Sequence, residues 1–128
     1  MGLSYVALYG QSGRTVWDGV YTREQAERGA ALYPANCAGC HGTSLDGAEG
    51  PALAGPDFNA NWNTLTLGDL FERIRTSMPQ DNPEKLSVQE KVDILAHMLS
   101  VGKFPAGTMD LPRDGQVLGQ IRYLSMKP

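Results

Sequence analysis

Residues 37–41 read Cys37-Ala38-Gly39-Cys40-His41 and contain both cysteines of the chain. Four chemistries can use a pair of cysteines two residues apart. A disulfide across so short a loop adds little stability to the rest of the chain. A zinc site needs four ligands, and only His41 and His97 could complete it, at irregular spacing. A thioredoxin-like redox pair belongs in a βαβ pattern, which is absent here. The histidine directly after the second cysteine fits the fourth chemistry, covalent attachment of a c-type haem. Two thiols at this spacing can each add to one vinyl group of a single haem. The adjacent imidazole then lies beneath the iron as proximal ligand.

Outward from the motif, the flanks alternate between helix and loop. Thr22 with Gln25 three residues on reads as a capping box, so a helix is predicted from about Arg23 to about Tyr33, stopping before Pro34. Ala26, Gly29, Ala30 and Tyr33 fall on one face of it. Residues 42–65 are rich in Gly, Pro and Asn and read as a long functional loop without regular structure. A second helix is expected after Thr66, with Asp69 at its third position, through Leu70, Phe71 and Ile74 to about Thr76. Ser87 and Glu90 form a further capping box, and a third helix runs to about Val101, ending at Gly102. Val88, Val92, Leu95 and Leu99 make its apolar stripe, widened by Ile94 and Met98. Residues 102–128 read as a Gly/Pro-punctuated tail with a short extended piece around Gln120–Leu124.

Composition agrees with this outline. The chain has 128 residues, 41% of them hydrophobic, with 15 Gly and 8 Pro. That describes one small, loop-rich domain with limited apolar material, which calls for additional stabilisation. A buried haem ring, around which three short helices can pack, supplies it. No stretch approaches the ~20 apolar residues needed to cross a bilayer as a helix. The net charge is -3 and no basic stripe is present, which argues against nucleic acid as a partner. The negative excess sits in residues 1–64, while residues 65–128 balance. Residues 1–10 are mildly apolar but too short for a full signal core. They read as a start methionine ahead of a mature, processed chain. The expected organisation is an N-terminal arm over 1–21, a central domain over 22–104 and a tail over 105–128 packing on that domain.

Across roughly residues 20–105 the sequence resembles the class I cytochromes c. The resemblance rests on the helix before the motif, the Cys37–His41 motif, the segment Gly50-Pro51-Ala52-Leu53-Ala54-Gly55, the segment Ser77-Met78-Pro79 and the final helix. It looks most like small bacterial cytochromes c, some of which are electron acceptors or fused domains of quinoprotein dehydrogenases. The fold so implied is all-α, with three main helices and long loops wrapped around one covalent haem. The sixth iron ligand has to come from Met78, Met98, Met109, Met126 or His97. Met78 lies in a loop between two helices and matches the family's methionine, followed by Pro79. Met98 reads as a core gap-filler, and Met109 and Met126 as tail residues. The resemblance also gives Pro51 a carbonyl that accepts from the haem histidine, and Trp62 a hydrogen bond to a haem propionate. It casts Gly29 and Tyr33 as the place where the first helix crosses the last. His97 stands where the family usually has an aromatic residue, and reads as filling that slot. Lys85, Lys91 and Lys103 are scattered among acids, so docking on partners is expected to be apolar rather than strongly electrostatic.

The function implied is periplasmic electron transfer by a single copy of the chain, between a dehydrogenase of the quinoprotein kind and a terminal oxidase. His41 and Met78 would be the axial ligands, and no bond of a substrate would be made or broken. Two rivals stand beside it. One is a haem subunit docked on such a dehydrogenase through the two ends of the chain. The other is a haem sensor or enzyme with a labile methionine ligand. No distal His/Arg pair occurs in the Met78 loop to support peroxide chemistry.

Overall fold

The structure, a computed structural model, describes residues 13–128. The readings of residues 1–12 lie outside the described residues. Helix α1 spans Arg23–Asn36. The hydroxyl of Thr22 accepts from the Gln25 N–H at 3.1 Å, satisfying a donor that the first turn leaves open. Gln25 does not complete the predicted capping box. Its side chain is buried and turns inward, where Oε1 accepts from the Leu111 N–H at 2.7 Å and Nε2 donates to the Leu111 carbonyl at 3.1 Å. A buried amide requires partners, and here the tail provides them.

Two helix boundaries differ from the sequence reading. Helix α1 continues through Pro34 to Asn36. Pro34 is exposed in the last turn, where the missing N–H removes a single terminal bond. The Cys37 N–H still reaches the Tyr33 carbonyl at 2.9 Å. Residues 42–65 are also not all loop. After the single turn of α2, Ala38–His41, helix α3 spans Pro56–Trp62. Pro56 presets the first helical φ, and Asp57 sits in the first turn at the positive end of the helix. Phe58 and Trp62, four apart, pack against the core. Seven residues are too few for their periodicity to stand out from a Gly/Asn-rich background.

Helices α4, Leu67–Ser77, and α5, Val88–Val101, fall where the sequence puts them, and both carry complete capping boxes, Thr66 with Asp69 and Ser87 with Glu90. On α5 the residues Val92, Leu95, Leu99, Ile94 and Met98 are buried, whereas Val88 in the first turn is exposed. Helix α1 packs on α5 at Gly29. A Cβ built there would lie 2.0 Å from the Asp93 carbonyl oxygen, so only glycine lets the two backbones approach so closely.

Both described ends join the same apolar cluster. Val16, Val20 and Tyr21 are buried with Leu111, Leu118, Ile121 and Tyr123. Residues 121–123 run between two other segments. Arg122 exchanges bonds with Arg14 and Val16 on one side, while Ile121 and Tyr123 bond Leu67, Thr64 and Leu65 on the other. This is the extended piece predicted in the tail, present as isolated bridges. A one-turn helix, α6 over Gly115–Leu118, precedes it, capped by the Asp114 carboxylate. Among the described residues there is no named strand, and the fold is all-α, with long loops between the helices.

Candidate functional site

The motif sits where α1 hands over to α2. The Cys37 carbonyl accepts from the Cys40 N–H at 3.3 Å and from the His41 N–H at 3.0 Å. Residues 37, 40 and 41 therefore share one side of a single turn. The two cysteines are not joined in a disulfide, and Cys37 is half-buried and Cys40 exposed. Burial pushes the Cys37 thiol up to about 11. Reactive redox cysteines have the opposite property, a lowered pKa.

His41 is buried, and its Nδ1 lies 2.6 Å from the Pro51 carbonyl oxygen. A carbonyl only accepts, so Nδ1 carries the proton and donates. In the neutral ring the other nitrogen, Nε2, is left with a lone pair for a metal. The loop after the motif is built to hold this ring. The Gly47 N–H bonds the His41 carbonyl at 2.8 Å, and the Gly50 N–H bonds the Cys40 carbonyl at 2.6 Å. Gly50 forms one wall of the imidazole, since a Cβ there would lie 3.1 Å from His41 Cε1. Tyr33 ties α1 to the same loop by donating to the Gly42 carbonyl at 2.7 Å. Its buried hydroxyl is pushed up to about 12.

The remaining predicted residues take distinct places. Met78 is half-buried and caps the C-terminus of α4 in extended conformation. Met98 is buried in the core, whereas Met109 and Met126 are 75% and 80% exposed. His97 packs on Tyr33 with ring centroids 5.4 Å apart, and burial lowers its pKa. Trp62 is half-buried at the end of α3, 6.1 Å from Phe58. Its indole N–H has no hydrogen-bond partner among the described residues, unlike Trp17, which donates to the Leu124 carbonyl at 2.9 Å. Two contributors escape the sequence reading as individual residues. Gly50 is one glycine among many in its loop. Lys91 looks like a residue on a solvated helix face, yet it is buried.

A turn with two cysteines, an imidazole whose Nε2 has no hydrogen-bond partner among the described residues and a glycine wall beside it together suit a covalent haem. Fold and site define a small c-type cytochrome. The family model described as "Cytochrome C oxidase, cbb3-type, subunit III" matches residues 24–98, more than half of the chain. The chain belongs to that family of c-type cytochrome domains, and its cofactor is one haem c attached through Cys37 and Cys40. It is 34% identical over 73 residues to a "Cytochrome c-553-like" protein of Synechocystis sp., covering 57% of this chain and 66% of that one. Its fold is similar to a chain in the crystal structure of the sulfane dehydrogenase SoxCD from Paracoccus pantotrophus. There the TM-score is 0.54 and the identity 24%, over 83% of this chain and 61% of the other. The chain thus spans about two thirds or less of each relative's length.

Proposed function

We propose that this chain is an electron-transfer protein in which His41 and Met78 are the axial iron ligands. The observation that carries the reading is the bond of 2.6 Å from His41 Nδ1 to the Pro51 carbonyl, because it orients the ring and reserves Nε2 for iron. When bound, the haem supplies a one-electron Fe(III)/Fe(II) couple, whose potential His/Met ligation raises. Met78 is favoured as the second ligand because Met98 is committed to the core and Met109 and Met126 lie on the surface. Trp62, whose indole N–H has no partner among the described residues, is proposed to bond a haem propionate. Were His41 and Met78 both to hold the iron, no position would be left on it for a substrate, as befits a carrier rather than an enzyme.

The proposed location is the periplasm, where family members acquire covalent haem. No helix among the described residues is long and apolar enough to cross a membrane. The proposed partners are a dehydrogenase of the quinoprotein kind and a terminal oxidase. A second reading is a haem subunit held on a dehydrogenase. It is favoured by the fold similarity to a chain of a dehydrogenase complex.

Visible spectra of the oxidised and reduced protein, expressed with haem-attachment machinery, test the proposal. A ferric sulfur-to-iron charge-transfer band is expected in the wild type. Met78→Ala should abolish that band and lower the midpoint potential. A Met78→Ala variant that keeps both removes Met78 from the role. A measured solution mass and co-purification separate a free carrier from a docked subunit.

A further inference from the structure

Lys91 projects from α5 and is only 3% exposed. Its ammonium donates to the Arg75 carbonyl at 2.8 Å and to the Pro83 carbonyl at 2.5 Å. The Arg75 carbonyl is one of the last four of α4, which have no donor inside the helix. A cation at that end also meets the negative pole of the helix. The Pro83 carbonyl belongs to the far stem of the loop that follows. The two acceptors flank residues 76–82, and that segment carries Met78 and the buried Pro79. One buried side chain thus ties both stems of the Met78 loop to α5. Burial and the nearby Arg75 guanidinium lower the pKa of the ammonium. The carbonyl oxygens are what holds so poorly solvated a charge in place.

We infer that Lys91 is a positioning residue for the sixth iron ligand, holding both stems of the Met78 loop on α5. The inference rests on the proposed ligand role of Met78. Hydrogen bonds from a charged donor are among the stronger ones in proteins. Removing the clamp should therefore raise the population of loop-open protein without touching His41, Cys37 or Cys40.

The test uses the holoprotein and reads carbon monoxide binding to the ferrous form, the ferric sulfur band and the midpoint potential. Lys91→Met keeps the length of the side chain and removes the donors. It should bind carbon monoxide roughly tenfold or more faster than wild type, with a weaker sulfur band and a potential shifted toward that of Met78→Ala. Lys91→Arg, which can still donate to both carbonyls, should restore slow binding. If Lys91→Met gives no holoprotein, Lys91→Gln carries the same expectation, since it is too short to span both carbonyls. Arg28→Ala is the control for general destabilisation, because it weakens the contacts to Asp93 and Asp110. It should leave carbon monoxide binding unchanged. Lys91 variants that lose stability but keep the wild-type rate and band overturn the clamp. A wild type without a sulfur band, or a Met78→Ala variant that retains it, overturns instead the assignment of Met78.

Discussion

The imidazole of His41 shows how little freedom the site leaves at single residues. Pro51 holds one nitrogen and Gly50 lies close beside the ring. Gly50→Ala would bring a methyl to 3.1 Å from Cε1, so the ring or the loop must give way. The expected cost is about 1–2 kcal/mol, read in urea unfolding of the holoprotein. A shift in midpoint potential should accompany it as the bond to Pro51 lengthens. Tyr33 makes a prediction about pH. Its folded pKa is raised to about 12 by burial, so the folded state keeps its proton where the unfolded chain loses it. The resulting stability is fully present below about pH 10 and is lost as pH rises toward 12. Denaturant midpoints between pH 9 and 12 should fall, and Tyr33→Phe should flatten that fall.

Among elements, the crossing of α1 and α5 sets the frame on which the motif turn is presented. Gly29→Ala poses helix propensity against packing. Propensity would favour alanine by about 1 kcal/mol. The methyl would sit 2.0 Å from the Asp93 carbonyl oxygen, an overlap that is relieved only by separating the helices and costs roughly 3 kcal/mol or more. Net destabilisation is expected, measurable as a lower Tm of the holoprotein. At the start of α5, Ser87→Ala removes a hydroxyl that accepts from the Glu90 N–H at 3.0 Å. The expected loss is about 1 kcal/mol, with no change in the visible spectrum because Ser87 touches none of the proposed ligands.

For the whole molecule, the described ends are part of the packing. Tyr123 packs edge-on against both Phe58 and Phe104, and its hydroxyl donates to Asn59 at 2.5 Å. Leu111 satisfies Gln25, and Asp110 pairs with Arg28 at 2.8 Å. Deleting residues 110–128 would leave the Gln25 amide buried with only Asp93 at 3.3 Å and would strip cover from Phe58, Phe104 and Leu67. The truncated chain should lose its cooperative thermal transition and yield far less holoprotein, by absorbance per unit protein. A truncated chain with the wild-type Tm would show that the tail is a removable appendage.

Much of this was legible in the sequence for local reasons. A haem-attachment motif is contiguous because both thiols and the imidazole must share one turn. Capping boxes are readable because they join residues three apart, as at Thr66 and Ser87. Other features depend on partners far along the chain. Gln25 has a local option in its own cap and takes Leu111, 86 positions away. Helix α3 is made worthwhile by burying Phe58 against Tyr123. Lys91 is indistinguishable from a surface lysine until the carbonyls of Arg75 and Pro83 are brought around it. The sequence by itself thus determined the cofactor chemistry and the main helices, because both are written in short-range spacing. The tertiary structure alone decided which polar groups are buried and what satisfies them, because burial follows from how distant segments pack and not from their order in the chain.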